Sequence, residues 1–528
     1  MKMNFSRVMR LMAMHYGDRE AIVNVERNRR YTHEQYHLLT NRIANALRTT
    51  LQVGAGDKFM LILDNDNLSL LMFPTVFKQP GTVVMTNIRD SVEEHARQLA
   101  VCRPKVVFLE ARLLDSHYDI LCSQGCTIVL MDALAEDAAP RQAVRNFWSL
   151  IEAASDLDND VELDTDKHLV MLRFSGGTTG AGKCAMYSIN NMMATRDAGF
   201  INTDMGFDGA TRMLHVAPLS HGTMMMFYPT FYSGGTNITL NQLDLESWRQ
   251  VVEAERVTHS FLVPTVLYRL LELQRENPRD FSSLTTLIYG AAPMSAAKLG
   301  ELVKCFGQIF LQVYAATEAA MFISMLDKSA HRSDDEAVVR RLASAGRTTP
   351  GVEVFVADAN GKQLPVGETG EIRIRCPAII QGYYENPEAT AAEFEDGVWK
   401  SGDLGYIDAE GYLYIVDRIK DMTYQALSMA SLTVPRWPRG SPRARSLCGV
   451  VGIPHVEWGE AVHAEVILRA GVSVAPEALI AHARARLGGY KTPKSVVFVG
   501  ELPLSVVGKV LRRKVREKYW QGVERKIG

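Results

Sequence analysis

Hydrophobic residues recur along this chain at two different spacings, which separate predicted helices from predicted strands. Residues 31–51 begin with a capping-box pattern, Thr32 and Gln35, and continue with apolar residues at helical spacing. Those apolar residues are Leu38, Leu39, Ile43, Ala46 and Leu47. Short β-rich runs then alternate with helical stretches, in the order FMLILD, GTVVMTN, KVVFLE and CTIVLMD. This alternation predicts βαβ units on a mostly parallel sheet.

A second alternating series follows, and its end marks a change in architecture. Its strand-like runs are RMLHVAPL, THSFLVP and TTLIYGAAP, with SWRQVVEAERV and VLYRLLELQRE as helices between them. After about residue 345 the pattern changes to short strands and turns, and the runs EAVHAEVIL, APEALIAHARARLGG and KSVVFVGEL form a compact tail. The predicted fold class is a large N-terminal α/β domain followed by a small α+β C-terminal domain. The large domain is expected to hold two βαβ-type sheet subdomains and a small β-barrel-like subdomain.

Composition and charge narrow the partners that the protein is expected to bind. The chain has 528 residues, 47% of them hydrophobic and 22% charged, as in ordinary globular proteins. This length is too great for one hydrophobic core and predicts two or more domains. The formal net charge of -2 provides no basic field, so we expect no nucleic-acid partner. An anionic nucleotide or thiol cofactor would have to be bound by local geometry.

The cysteines and the N-terminus predict a cytoplasmic protein with reduced thiols. Cys122 and Cys126 are the closest pair of cysteines, but no second pair or histidine cluster completes a zinc site. Residues 1–23 interrupt their apolar positions with Arg7 and Arg10, which predicts an amphipathic helix instead of a signal peptide. No uncharged run reaches the length of a membrane span, so no transmembrane segment is expected.

A glycine-rich segment at residues 174–188, FSGGTTGAGKCAMYS, indicates close contact with an anion, and two unrelated nucleotide-binding loops fit it. In the first interpretation, Gly177–Lys183 satisfies the G-x-x-x-x-G-K pattern of a P-loop NTPase or kinase. That pattern needs a Ser or Thr next, whose hydroxyl binds magnesium, but Cys184 stands there and a neutral thiol is a poor ligand for a hard cation. The following residues also begin more like a strand than a helix.

The second interpretation is the phosphate loop of the adenylate-forming enzymes, the superfamily of acyl-CoA synthetases, luciferases and peptide-synthetase adenylation domains. GGTTGAGKC resembles their S-G-T-T-G-x-P-K-G motif, with Gly182 in place of proline and Cys184 in place of glycine. The resemblance implies that hydroxyl and backbone N–H groups bind the β- and γ-phosphates of ATP. The implied ATP-binding residues are Ser175, Gly176, Gly177, Thr178, Thr179, Gly180 and Lys183. Taken alone, the segment would also fit a glycine-rich surface loop.

A second motif, QVYAATEAA at residues 312–320, resembles the Y-G-x-T-E motif of the same superfamily, with Ala315 in place of glycine. The resemblance implies that Tyr314 lies against the adenine and that Thr317 donates a hydrogen bond to the α-phosphate. It also implies that Glu318 binds Mg²⁺, a task that suits a carboxylate. Alone, the motif would fit a surface carboxylate better, but the other motifs follow in the order that the superfamily has.

Two later stretches resemble the remaining motifs. In VWKSGDLGYIDAEGYLYIVDRIKDM, Asp403 matches the carboxylate that accepts hydrogen bonds from both ribose hydroxyls, and Arg418 matches the second ribose contact. Lys420 matches the hinge, which implies an adenylation domain at residues 1–418 and a mobile domain at 419–528. In ELPLSVVGKVLRRKVREKY, Lys509 matches the catalytic lysine that neutralises charge as the carboxylate and α-phosphate react.

Weaker resemblances concern the acid substrate. APLSHGTMMMF resembles the segment whose histidine, here His221, lies beside the acyl carboxylate, and the stretch with Gly290, Ala291 and Ala292 resembles the adenine-lining segment. The apolar residues Met224–Met226 and Phe227 fit an alkyl or bulky alicyclic tail, although core packing explains them equally well. Amino-acid-activating relatives carry an Asp near this segment, and none stands beside His221, which favours an unsubstituted carboxylic acid.

The resemblance implies an ATP-dependent, AMP-forming acyl-CoA synthetase of fatty-acid or similar metabolism. The small-molecule carboxylic acid attacks the α-phosphate of ATP to give an acyl-adenylate, and coenzyme A then displaces AMP. The implied cofactors are ATP, Mg²⁺ and coenzyme A, and a homodimer is left open. No protein nucleophile is needed, because the enzyme mainly positions two anions and offsets their repulsion.

One stretch departs from the superfamily. Residues 423–448, TYQALSMASLTVPRWPRGSPRARSLC, contain three prolines and no acidic residue where the superfamily has a glycine-rich loop and a Glu-rich helix. The length of this stretch is nevertheless about that of the superfamily, which suggests two compensating frameshifts, either in the gene itself or introduced by a sequencing error. The alternative to a full synthetase is therefore an impaired homologue that binds ATP or forms the adenylate without efficient thioester formation.

Overall fold

The computed structural model describes most of the chain. The described residues are 1–131, 143–175, 182–291, 294–319, 321–332, 341–418, 448–455, 459–468, 474–487, 492–503 and 512–520. Within them no helix is long and apolar enough to cross a membrane.

Helices and strands alternate through the first three quarters of this structure. The helices are α1 (Phe5–Tyr16), α2 (His33–Asn45), α3 (Asn65–Leu71), α4 (Phe73–Phe77), α5 (Val92–Cys102), α6 (Leu114–Ser123), α7 (Phe147–Glu152), α8 (Ile189–Ile201), α9 (Met224–Tyr232), α10 (Leu245–Ala254), α11 (Pro264–Glu276), α12 (Ala296–Phe306), α13 (Pro387–Glu393), α14 (Pro476–Leu487) and α15 (Arg512–Trp520). The strands up to the phosphate loop are β1 (Lys2–Met3), β2 (Glu20–Asn24), β3 (Arg29–Thr32), β4 (Lys58–Ile62), β5 (Thr82–Met85), β6 (Val106–Leu109), β7 (Thr127–Leu130), β8 (Val144–Asn146), β9 (Leu163–Asp164) and β10 (Leu169–Phe174). The later strands are β11 (Cys184–Ser188), β12 (Arg212–His215), β13 (Thr236–Thr239), β14 (His259–Leu262), β15 (Thr286–Gly290), β16 (Phe310–Tyr314), β17 (Ser324–Leu326), β18 (Arg347–Thr348), β19 (Glu353–Ala357), β20 (Gly370–Arg375), β21 (Phe394–Glu395), β22 (Val398–Ile407), β23 (Leu413–Arg418), β24 (Cys448–His455), β25 (Gly459–Val466) and β26 (Ser495–Phe498).

Several predicted elements are confirmed at the level of side-chain contacts. Thr32 and Gln35 form the predicted capping box at the start of α2. The apolar runs FMLILD, GTVVMTN, KVVFLE and CTIVLMD become β4, β5, β6 and β7, whose buried residues form the core of the first sheet. Asn4 caps the predicted N-terminal amphipathic helix α1, which buries Phe5 and Met9.

Two large sheets carry the helices. The first has the strand order β11-β10-β5-β4-β6-β7-β8 and is parallel except for β11, which pairs antiparallel with β10. The second has the order β18-β17-β16-β15-β14-β12-β13-β2-β3, with a parallel centre and antiparallel edges. Near-continuous apolar strands of this kind are typical of parallel sheets that are covered on both faces.

Two smaller sheets follow. Strands β19 to β23 form an antiparallel sheet in which β22 pairs with β20, β21 and β23. Strands β24, β25 and β26 form the sheet of the α+β tail, in which β24 pairs antiparallel with β25 and β26 pairs parallel with it. The predicted fold class is confirmed. The predicted domain boundary at residue 419 begins a stretch outside the described residues and stays a prediction.

Candidate functional site

The two ends of the glycine-rich loop are held together by backbone pairing. Strands β10 and β11 pair up to Phe174 and Cys184, and the Ser175 N–H then donates to the Lys183 carbonyl at 2.8 Å. The Lys183 N–H in turn donates to Ser175 Oγ at 3.2 Å. The loop between them holds the predicted residues Gly176, Gly177, Thr178, Thr179 and Gly180, which lie outside the described residues.

The element after this loop decides between the two loop interpretations. The chain continues as strand β11, whereas a P-loop leads directly into a helix whose N-terminus receives the phosphates. Cys184 Sγ lies 3.9 Å from Cys102 Sγ in the core, and this contact together with burial raises the pKa of the Cys184 thiol. A protonated, buried thiol does not replace the magnesium-binding hydroxyl of a P-loop. The P-loop interpretation is therefore wrong.

Lys183, at the end of the loop, begins a chain of polar contacts to the predicted magnesium ligand. Lys183 Nζ lies 2.5 Å from Glu393 Oε1 and 4.7 Å from the centre of the Tyr383 ring. The Tyr383 hydroxyl lies 2.5 Å from Glu393 Oε2 and 2.8 Å from Glu318 Oε1. Burial, followed by the nearby charges of Glu318 and Glu393, raises the pKa of Tyr383. The phenol is thus a neutral link between two acidic side chains.

The phenol has one proton and so donates to only one of these two carboxyl groups at a time. The other close contact joins two acceptor oxygens unless a carboxyl group carries a proton. A cation at Glu318 would relieve this competition, because Glu318 would then bind the cation and Tyr383 would donate to Glu393. The arrangement therefore couples the charge at Glu318 to the ion pair of Lys183.

The backbone carbonyls of Thr317 and Glu318 both accept hydrogen bonds from neighbouring segments. The Thr317 carbonyl accepts a hydrogen bond from the Tyr187 hydroxyl at 2.5 Å, and the Glu318 carbonyl accepts one from the Ile380 N–H at 3.0 Å. The Thr317 side chain faces the buried Arg173, whose Nη2 lies 3.5 Å from Thr317 Oγ1. The two predicted side chains are therefore positioned by strands β10 and β11 and by the segment after β20.

Two of the predicted nucleoside-binding residues meet directly. The Tyr314 hydroxyl at the end of β16 donates to Asp403 Oδ2 at 2.5 Å, and Asp403 is buried. Arg418 lies directly opposite Asp403 in the antiparallel ladder of β22 and β23. The side chain of Arg418 lies outside the described part of the structure, so only its position in the ladder is established.

The segment predicted to line the adenine lies next to β16, the strand that ends at Tyr314. Gly290 ends β15 beside Val313 of β16, and a Cβ atom at residue 290 would lie 2.4 Å from the Val313 carbonyl oxygen. Ala291 has a φ of 63°, in the left-handed region that side chains rarely adopt. Gly290 is thus required for the close approach of the two strands. Ala292 lies outside the described residues.

His221 lies in the turn that leads into α9. Asn65 holds this turn, because its side chain accepts from the Leu219 N–H at 2.8 Å and donates to the Ala217 carbonyl at 3.0 Å. His221 Nδ1 lies 3.1 Å from Ser220 Oγ. Residues Met224–Phe231 of α9 are buried, as expected for either of the two predicted roles.

Family models match both parts of the chain. Residues 10–384 match the model of the AMP-binding enzyme, and residues 446–509 match the model of the AMP-binding enzyme C-terminal domain. The first match alone covers more than half of the chain. The chain belongs to the AMP-binding enzyme family. The resemblance to adenylate-forming enzymes that the motifs indicated is confirmed.

Among its relatives, this AMP-binding enzyme is 36% identical to the medium/long-chain-fatty-acid–CoA ligase FadD8 of Mycobacterium tuberculosis (strain ATCC 25618 / H37Rv) over 368 residues, 68% of this chain and 63% of that ligase. It therefore spans less than two thirds of the length of FadD8. It is also 36% identical to a feruloyl-CoA synthase of an Amycolatopsis species over 372 residues, 70% of this chain and 73% of that synthase. The names of both relatives agree with the predicted enzyme class, an AMP-forming acid–thiol ligase.

Solved structures share the fold. The amide bond synthetase McbA from Marinactinospora thermotolerans superposes with a TM-score of 0.83 at 27% identity, covering 98% of this chain and all of McbA. A fatty acyl CoA synthetase of Mycobacterium tuberculosis superposes with a TM-score of 0.68 at 25% identity, covering 98% of each chain.

Sequence reasoning missed several residues of this AMP-binding enzyme's candidate site. Arg173, Tyr187, Tyr383 and Glu393 contact predicted residues but belong to none of the predicted motif positions. An arginine inside the apolar strand LVMLRF was the one visible indication, because charged residues are rarely buried without a partner. Two predicted residues, Lys420 and Lys509, lie outside the described residues and stay predictions.

Proposed function

We propose that this AMP-binding enzyme is an acyl-CoA synthetase that uses ATP, Mg²⁺ and coenzyme A. The observation that carries the proposal is the chain of contacts from Lys183 through Glu393 and Tyr383 to Glu318. It brings the lysine of the candidate phosphate loop and the candidate magnesium ligand to one place, beside Thr317. An ATP molecule would need both groups there, because the lysine and a cation bound by Glu318 would together balance the negative charge of its triphosphate.

In the first step, the carboxylate of the acid attacks the α-phosphate and pyrophosphate leaves. We assign Lys183 and the loop before it to the β- and γ-phosphates, and Thr317 to the α-phosphate. Glu318 fits Mg²⁺ because proteins bind this ion through one or two carboxylates together with phosphate oxygens. When bound, the ion would neutralise charge on the departing pyrophosphate. We assign Lys509 to the charge that develops between the acid and the α-phosphate.

The nucleoside would be bound by the residues that meet at the end of β16. Asp403 offers two acceptor oxygens for the two ribose hydroxyls, and Tyr314 donates to one of these oxygens in the structure. Tyr314 would lie against the adenine, with the edge formed by Gly290 and Ala291 beside it. We assign the second ribose contact to Arg418, because Arg418 lies opposite Asp403 in the ladder.

In the second step, the coenzyme A thiol displaces AMP from the acyl-adenylate. We propose that residues 419–528 form a mobile domain that turns about Lys420 between the two steps. The α+β tail supports a folded unit there: Glu465, which is buried, accepts from Tyr519 at 2.8 Å and binds Lys518 at 3.1 Å. These contacts anchor α15, the helix that follows Lys509 in the sequence.

The proposed substrate is a fatty, alicyclic or aryl acid without an α-amino group. The apolar helix α9 follows His221 and offers no carboxylate to a substrate amine. The two relatives named above act, by their names, on fatty acids and on ferulate.

Free thiols at all seven cysteines support a cytoplasmic location.

The test is a product assay with the purified protein, ATP, Mg²⁺, coenzyme A and a panel of such acids. The proposal expects AMP, pyrophosphate and acyl-CoA in equal amounts, and only when an acid is present. ADP or phosphate as the product, or no acid-dependent AMP with any member of a panel that covers C2 to C18 and aromatic acids, would contradict it.

A second candidate function is adenylate formation without efficient thioester formation. The observation that favours it is residues 423–448, since the C-terminal family model matches only from residue 446. Acid-dependent exchange of labelled pyrophosphate into ATP measures the first step alone. Strong pyrophosphate exchange with weak acyl-CoA output would indicate this function. Replacing residues 423–445 with the equivalent segment of the feruloyl-CoA synthase should then restore the acyl-CoA output, which would establish it. Full acyl-CoA output from the natural chain would exclude it.

A further inference from the structure

Arg173 is a charged residue within an otherwise apolar strand. It lies in β10, a strand whose other residues are Leu169, Val170, Met171, Leu172 and Phe174. In the sheet it lies between Met85 of β5 and Ala185 of β11. Only 8% of Arg173 is exposed. The strand therefore places a permanent positive charge three positions before the loop at residues 176–181.

Among the residues that the structure describes, the Arg173 guanidinium lacks the carboxylate partner that Arg249 and Arg27 have. Within the described ranges its Nη2 reaches only Thr317 Oγ1, at 3.5 Å, and its buried Nε has no hydrogen-bond partner there. Among the described residues, it forms no ion pair with a carboxylate. Arg249, which is buried more deeply still, pairs with Glu246 at 2.8 Å, and the half-buried Arg27 pairs with Glu110 at 2.7 Å. The adjoining loop, residues 176–181, contains no acidic residue that could serve.

A buried and unpaired guanidinium is unfavourable, because it loses hydration without a compensating charge. Arginine does not escape this cost by releasing its proton, since its pKa is too high. A site of this kind is completed when a ligand brings the missing anion. The planar fork of donors matches the oxygen atoms of a phosphate or carboxylate.

The position of Arg173 selects the anion. Its one hydrogen-bond partner in the described part of the chain is the hydroxyl of Thr317, which the proposed function assigns to the α-phosphate of ATP. The same strand leads into the loop assigned to the β- and γ-phosphates, so the polyphosphate would lie beyond the end of β10. We propose that Arg173 binds the α-phosphate of ATP and of the acyl-adenylate, together with Thr317. This inference rests on the proposed function and adds to it a residue that offsets the repulsion between the α-phosphate and the incoming carboxylate.

The test compares the binding of AMP and adenosine, which differ by the α-phosphate alone, by isothermal titration calorimetry with the full chain. The wild-type protein should bind AMP more tightly than adenosine. The variant Arg173→Met should lose roughly 10- to 100-fold in AMP affinity while its adenosine affinity stays within about two-fold. Arg173→Lys keeps the charge without the fork, so it should retain part of the preference for AMP.

Thermal unfolding without ligand separates a binding role from a structural one. Because Arg173 has no carboxylate partner, Arg173→Met should leave the Tm unchanged or raise it. Arg212→Met is the matched control, since Arg212 pairs with Glu20 at 3.0 Å and with Glu255 at 2.6 Å. It should lower the Tm and leave the preference for AMP intact.

Three results are decisive. A lower Tm for Arg173→Met with an unchanged preference for AMP would make Arg173 a structural residue and overturn the inference. An unchanged preference for AMP with weakened binding of the acid would assign Arg173 to the substrate carboxylate and also overturn it. If the wild-type protein binds neither AMP nor adenosine, the proposed function itself fails, which is a different pattern from either of these.

Discussion

Lys183 and Glu393 form an ion pair of 2.5 Å although 210 positions separate them in the sequence. The lysine assigned to the phosphates is therefore held by a carboxylate of the protein. Both side chains are largely buried, and Tyr383 contacts both of them. ATP would have to exchange with Glu393 for this lysine, so the pair sets part of the affinity for the nucleotide.

Neutralising Glu393 should strengthen ATP binding. In Glu393→Gln, Lys183 loses the charged competitor while Tyr383 keeps a hydrogen-bond acceptor. We expect the KM for ATP to fall by roughly two- to ten-fold. A change of this size corresponds to the loss of an ion pair that contributes about 1 kcal/mol. The measurement is acid-dependent pyrophosphate release against ATP concentration. Glu388→Gln, at an exposed position on the same helix, is the control and should leave the KM unchanged. A higher KM in Glu393→Gln would show that the pair assists binding instead of competing with it.

Asp403 should determine the preference for ribose hydroxyls. The wild-type enzyme should use ATP with a lower KM than 2′,3′-dideoxy-ATP, and Asp403→Asn should remove most of this difference because an amide has a single acceptor oxygen. A loss of about 10- to 100-fold in discrimination corresponds to one or two hydrogen bonds to a charged group.

The control for that experiment is Asp408→Asn. Asp408 accepts from the N–H groups of Glu410 and Tyr412 in the turn between β22 and β23, so its role is structural. We expect a lower Tm and the same preference for ATP. If both variants changed the preference equally, the effect would come from the fold of the β22–β23 pair and not from contact with ribose.

A side chain at residue 290 should disturb the contact between β15 and β16. In Gly290→Ala, the new Cβ would lie 2.4 Å from the Val313 carbonyl oxygen, so the strands would have to separate next to Tyr314. We expect a loss of about 1–3 kcal/mol in stability and a higher KM for ATP. Chemical denaturation and steady-state kinetics measure the two effects. Gly54→Ala, whose Cβ would meet only Asp57 Oδ2 at 3.8 Å, should change neither.

Acid should destabilise the folded protein through its buried histidines. Burial lowers the pKa of His215 from 6.5 to about 4, and it does the same for His33, His259 and His331. The unfolded chain therefore binds protons at these residues near pH 6.5, whereas the folded protein binds them only near pH 4. This contribution to stability is complete above pH 6.5 and is lost as the pH falls from 6.5 towards 4.

The measurement is the free energy of unfolding by urea between pH 7.5 and pH 5. Each such histidine contributes a slope of up to about 1.4 kcal/mol per pH unit. His215 bonds to Thr223 and Asn237, so His215→Gln should lower stability at every pH and reduce the slope by roughly one histidine's share. His15→Gln, at an exposed position of α1, should preserve the slope. A flat profile in the wild-type protein would contradict the assignment of neutral, buried histidines.

Local sequence patterns predicted the fold better than they predicted the site. The capping box of Thr32 and Gln35 and the apolar strands need only neighbouring residues, and the structure contains them. The motif residues Tyr314 and Asp403 were predicted to share a nucleoside, and they form a direct hydrogen bond. The contacts of Lys183 with Tyr383 and Glu393 depend on how two distant segments pack, which no local pattern encodes. Arg173 was visible in the sequence, but its missing partner became apparent only from the packing around β10.

The pairing of strand β2 has a consequence for folding during synthesis on the ribosome. This strand pairs with β13, whose residues 236–239 are synthesised more than 200 positions after it. At translation rates of roughly 5–20 residues per second, Ile22 and Val23 wait on the order of 10–40 s for their neighbours in the sheet. During that interval a strand with an apolar centre, Ala21 to Val23, is open to other chains, so nascent-chain chaperones should matter more for this protein's yield than its final stability suggests.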